Sequence, residues 1–245
     1  MRVSRSLNGS VVILGGRFPF ATVLVAAVTL LASVAGAVLW RSGVHLLARV
    51  GLAPDFVAAG EAWRLLTWSF FDPSALSLIF ALLIVLFLGR DLCHSWGAVR
   101  FLVFYSGTSV ATGLGVCLVG RLGWGDVWRG SYFTAWPVVE AITIAWATMF
   151  PSRQILMYFV IPVGGQALVY IAVFGTLVFA LLDGFALYVP HFIAMGLAWA
   201  YLRGFSLEYY WLRFRVATGL VGRRRPSHLR PVERPDRSEP PRWLH

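Results

Sequence analysis

Two ionisable side chains stand inside otherwise apolar runs of this chain. Glu140 lies in TAWPVVEAI (134–142) and is the only acidic residue within any long apolar stretch, and His191 opens HFIAMGLAWAYLRG (191–204). A carboxylate in hydrocarbon is costly to ionise, so its presence points to a partner or to work done on a proton or substrate. Three chemistries are open to the two residues: a buried polar pair, a proton-linked transport step, or His191 as the base for a serine nucleophile. Ser77, Ser106, Ser109 and Ser131 are the serines near the helices that would line such a site. Cys93 and Cys117 are expected a membrane apart, so no disulfide, metal site or cofactor follows from them.

The elements that must position these residues are membrane helices. Of 245 residues, 58% are hydrophobic and 13% charged, and the mean hydropathy is +0.73, far from the balance of soluble domains. Charge-free runs approach the roughly 20 residues needed to cross a bilayer. They cover Phe18–Trp40, Pro73–Gly89, Phe101–Gly120, Ser131–Phe150 with Glu140 inside it, Gln154–Leu182 and Gly184–Leu202. Six helices are therefore expected, the second of them short and the fifth starting near Gly164 after an interfacial QILMYFVIPV. Gly113-Leu114-Gly115, with nearby Ser, Thr and Ala, would let helices approach closely.

Charge follows topology. With six spans, sixteen of the 21 arginines fall on the side holding both termini and five on the other, which predicts cytoplasmic termini. The net charge of +10 is accounted for in this way and does not indicate nucleic-acid binding. The expected organisation is a cytoplasmic segment at 1–17, a membrane domain at 18–204, and a basic Pro/Arg-rich tail at 205–245 that is disordered or partly interfacial. Absence of lysine among the 21 basic residues suggests a GC-rich genome, hence a bacterial inner membrane.

The stretch GEAWRLLTWSFFDPSALSLIFALLIVLFLGRDL (60–92) resembles the rhomboid superfamily of intramembrane serine proteases and their non-catalytic relatives. Glu61, Trp63 and Arg64 match its Glu-x-Trp-Arg-like outer-loop element, and Gly89–Arg90 matches the end of its second helix. FPSRQILMYFVIPV (150–163) is similar to its link between helices four and five, and 191–204 to its sixth helix. The resemblance covers roughly 18–204 and implies an all-α, polytopic, six-helix rhomboid-like transmembrane bundle.

It also implies where catalysis would sit. Alignment back from Pro151 places Thr134-Ala135-Trp136-Pro137 on the family's Gly-x-Ser-Gly, so Trp136 takes the nucleophile position. Alignment back from Gly89 places Ser77 and Ala81 on the second-helix His and Asn that serve the oxyanion. Only His191, the base position, matches. Indole has no nucleophilic oxygen, and Trp136 is expected either to fill the former catalytic cavity or to join the interfacial aromatic belt. Glu140, one turn beyond Trp136, shares its face and is expected to be neutral, or paired with His191 or Thr143. The alternative is a lone Glu140 in a water-filled cavity.

The lost catalytic residues predict a pseudoprotease, and the resemblance to non-catalytic rhomboid relatives implies that it binds transmembrane clients, with the lipid bilayer as its other partner. Local thinning of the bilayer by a short second helix would belong to the same reading. An active intramembrane serine endopeptidase with His191 as base is the alternative, and a proton-linked transporter using Glu140 and His191 has no supporting repeat.

Overall fold

A helix that is apolar on every side is stable only when other elements surround it. That is the position of Trp136–Met149 in the computed structural model, which describes residues 9–13, 16–43, 46–157 and 161–204. Among the described residues six helices carry the fold, five of them long: α1 (Phe20–Arg41), α2 (Ala75–Trp96), α3 (Ala98–Arg121), α4 (Trp136–Met149), α5 (Gly165–Asp183) and α6 (Phe185–Leu202). Helix α4 packs most extensively on α6, then on α2 and α5, and less on α3. Ten of its residues, from Pro137 to Ala147, are buried. The other five helices are each long and apolar enough to span a membrane. They turn side chains such as Leu31, Val103, Phe174 and Leu182 outward, as a lipid environment requires. The chain is thus an all-α polytopic membrane protein.

Two expected boundaries are corrected. The second helix is not short: α2 has 22 residues and continues past Gly89–Arg90 to Trp96. Polar partners carry it beyond the apolar run, because Asp91 accepts hydrogen bonds from Trp146 and Arg153. It stops where Gly97 takes φ 84°, a left-handed conformation suited to glycine. The short helix is α4, with 14 residues. At about 1.5 Å per residue it reaches about 21 Å, less than the hydrocarbon thickness of about 30 Å.

The segment before α5 also differs from a simple interfacial run. Gln154–Met157 pairs antiparallel with Ile161–Gly164, and Gly165 starts the helix as expected. A second strand pair, Ser10–Ile13 with Gly16–Pro19, precedes α1. The connection from α1 to α2 holds short helices at Leu46–Val50, Pro54–Ala58 and Arg64–Thr67, then a 3₁₀ turn at Trp68–Phe70. It is held to the loop before α4 by mutual backbone hydrogen bonds between Leu52 and Tyr132. The expected basic tail at 205–245 lies outside the described residues.

Glycines in α3 make room for specific neighbours. A Cβ on Gly113 would come within 2.9 Å of Leu65, and one on Gly115 within 3.0 Å of Ile193 of α6. At Gly120 the obstacle is backbone: a Cβ would lie 2.9 Å from Trp128 Cα and 3.0 Å from its nitrogen. Backbone cannot rotate aside, so Gly120→Ala should destabilise by about 1–3 kcal/mol. Gly107, with no atom within 4 Å of the same position, should tolerate alanine without loss. Thermal unfolding of the two variants in one detergent checks the contrast.

Candidate functional site

Helix α4 delivers two polar groups from one side, a turn apart, and they meet different partners. Glu140 points between α5 and α6. Its Oε2 lies 2.9 Å from His191 Nδ1, and its Oε1 accepts a hydrogen bond from Thr176 Oγ1 at 2.9 Å. The Glu140 and His191 side chains are each 12% exposed. Both carboxylate oxygens are therefore engaged inside the bundle, in keeping with the rule that buried charge or polarity is partnered. The Tyr188 ring packs 5.1 Å from the His191 ring, and the Tyr188 hydroxyl donates to Asp183 at 2.9 Å.

Of the two expected partners for Glu140, His191 is present and Thr143 is not. Thr143 lies on the same helix and donates back to the Val139 carbonyl at 2.9 Å, a local bond that removes it from the pair. Thr176 replaces it. Its sequence signal was a lone hydroxyl in the apolar stretch VFGTLVFALL. Glu140 thus has two side-chain partners, His191 and Thr176.

The first turn of α4 faces α2. Pro137 sits at its start, where a missing N–H loses nothing. The indole Nε1–H of Trp136 donates to Ser77 Oγ, and Ser77 in turn donates to Asp72 Oδ2 at 2.7 Å. Asp72 also accepts from the Ser74 amide at 3.1 Å, while its own amide donates to Ser33 Oγ on α1 at 3.0 Å. An indole, a hydroxyl and a carboxylate thus run in series from α4 through α2 to the loop before it. Ala81, one turn along from Ser77, is buried in the apolar core.

The four serines differ in their commitments. Ser109 Oγ bonds Ser69 Oγ at 2.9 Å and the Leu65 carbonyl at 3.1 Å, and Ser131 is exposed. Ser77 belongs to the Trp136–Asp72 series. Among the described residues no hydrogen bond joins His191 to Ser77, Ser106, Ser109 or Ser131, or to Trp136. Cys93 and Cys117 are free thiols, and no group of three His, Cys, Asp or Glu among the described residues could hold a metal.

Glu61, Trp63 and Arg64 form a clamp in the α1–α2 connection. Buried Arg64 donates from Nε to Glu61 Oε2 at 2.6 Å and from Nη1 to the Ala48 and Gly51 carbonyls, both at 2.8 Å. Trp63 Nε1 donates to the Arg49 carbonyl at 3.3 Å, and the guanidinium lies 4.6 Å from the Phe56 ring centroid. The element ties the end of one short helix to the start of another. Gly89 sits in mid-helix where a Cβ would come within 3.1 Å of Phe101 and 3.3 Å of Thr22, so it permits α1, α2 and α3 to approach. Arg90 lies over the Phe18 ring at 5.6 Å.

A profile of the family described as eukaryotic integral membrane protein (DUF1751) matches residues 22–214, from the first turns of α1 to beyond the end of α6. The chain belongs to this family. No curated protein matches the sequence. Membership in DUF1751 overturns the expected bacterial origin and bacterial inner-membrane location, since the family is described as eukaryotic. Use of Arg in place of Lys follows genome composition, which does not separate the kingdoms. The integral membrane character stands.

Burial raises the Asp72 carboxyl above its ordinary value of 3.8, and hydrogen bonds from Ser77 and the Ser74 amide offset part of that. A carboxyl whose pKa is higher folded than unfolded is relatively favourable while protonated. Stability from this group falls as pH rises from 3.8 through the raised folded value, then levels off. Relative to Asp72→Asn, the wild-type protein should therefore gain unfolding temperature on acidification through that window. At the buried pair, Thr176→Val should cost about 1 kcal/mol and His191→Ala about 3 kcal/mol or more, because the latter strands the Glu140 carboxylate. Thermal unfolding in detergent reads both.

Proposed function

We propose that this DUF1751 protein is a rhomboid-like fold without proteolytic chemistry, which binds transmembrane segments of other proteins. The observation that carries the reading is the hydrogen bond from the Trp136 indole to Ser77. In the rhomboid register these two positions would hold the nucleophile and an oxyanion donor, and here they engage each other. A nucleophile must lie within reach of its base, but His191 in this chain is taken by Glu140. Oxyanion stabilisation needs donors aimed at the developing charge. Ser77 directs its proton to Asp72, and Ala81 has none to offer.

Client binding is supported by how α5 is attached. It packs on α4 and α6 but makes no extended contact with α2, and in this reading a client enters from lipid at a lateral seam between α2 and α5. Tyr170, Phe174 and Phe179 of α5 are exposed. A transmembrane helix entering there would gain van der Waals packing in place of lipid contacts. The Glu-x-Trp-Arg clamp serves architecture in this reading, holding the outer loop over the bundle.

Two measurements test the proposal. Purified protein treated with a fluorophosphonate should remain unlabelled beside a labelled active rhomboid. Labelling of Ser77, Ser106, Ser109 or Ser131 that disappears in His191→Ala would restore a protease. A photo-crosslinking residue at Phe174 should capture membrane proteins in cells, whereas one at Leu31 on α1 should capture fewer. Equal capture at both sites would remove the support for client binding at the seam.

A further inference from the structure

Arg90, Asp91 and Arg153 converge on a cavity of about 310 Å³ that is also lined by Phe87, Leu88, Trp146, Gln154 and Ile155. It lies between the later turns of α2, the end of α4 and the strand pair that leads to α5. Asp91 Oδ2 takes hydrogen bonds from Trp146 Nε1 at 2.9 Å and from Arg153 Nη1 at 2.8 Å. That carboxylate fixes Arg153 at the cavity and neutralises one charge. Arg90 makes no ion pair among the described residues and stacks over Phe18. The cavity therefore keeps one uncompensated guanidinium.

The donor set defines the ligand. A guanidinium carries five N–H donors in a fixed fork, and Arg153 gives only one of its nitrogens to Asp91. Two such forks, from α2 and from the residue before the strand pair, with the exposed amide of Gln154, suit an oxyanion with several oxygens better than a two-oxygen carboxylate. The remaining wall is apolar. Phe87 is 52% exposed on the outside of α2, so an attached hydrocarbon chain could leave the cavity along it into lipid. We propose that this cavity binds a phosphate group, supplied by an anionic membrane lipid whose acyl chains run out over Phe87.

The test is a titration of the full-length protein in detergent, followed by native mass spectrometry. Dioleoyl phosphatidic acid is the lipid arm, phosphatidylcholine the zwitterionic control, and inorganic phosphate the soluble arm. Phosphatidic acid should bind saturably, one per chain. Its affinity should fall about tenfold or more in Arg90→Gln, the loss of one charged hydrogen-bonding group. Gln154→Glu, an exposed change that adds negative charge at the rim, should weaken binding without disturbing the fold. Arg203→Gln, at an arginine stacked on Trp199, should leave binding unchanged. Phosphate binding with the same variant dependence would support the site but assign it to soluble phosphate compounds. Equal retention of phosphatidylcholine, or equal weakening by Arg203→Gln, would mean a diffuse basic surface and overturn the proposal.

Discussion

The bundle depends on how one carboxylate is satisfied. Helix α4 is apolar around its circumference, so burial alone does not choose its rotation about its own axis. Lipid tails are as apolar as its side chains, and no hydrophobic drive selects its neighbours either. Glu140 supplies the missing direction, because its two oxygens find His191 on α6 and Thr176 on α5. Those bonds orient α4 and bring α5 and α6 to it together. A helix of 14 residues enclosed by longer ones can then carry polar groups near its first turn without exposing them to lipid.

The same rotation turns Trp136 toward α2. Its indole hydrogen bond to Ser77 and the Ser77 bond to Asp72 extend polar contact from α4 to the loop before α2, and the Asp72 amide carries it to Ser33 on α1. Further along the loop, Arg64 gathers two carbonyls and Glu61 around one guanidinium. One end of the bundle is thus laced by hydrogen bonds across helices that apolar packing alone would leave free to slide. Trp136, Ser77, Asp72 and Arg64 each give or take a hydrogen bond within this network.

Helix α5 stands apart from this lacing. It is joined to α4 and α6 but not along α2, and it follows a strand pair that begins at Gln154, directly after Arg153. The two-arginine cavity is bordered by α2, by the end of α4 and by the strand pair that leads to α5.

Membrane residence, the approximate spans and a contact between Glu140 and His191, as one of two expected pairings, were legible in the sequence. Each rests on local composition: long apolar runs must sit in lipid, and an ionisable group inside one must have a partner or a task. The reach of α2 past Gly89, the strand pair before α5 and the Thr176 partner were not legible. Thr143 stood closer to Glu140 in sequence, yet its hydroxyl turns back to its own helix, while Thr176 is 36 positions away. Such choices depend on where helices cross and how each is rotated. Hydropathy along one chain carries no information on rotation when a helix is apolar on all sides, so only the packed bundle decided which polar groups meet.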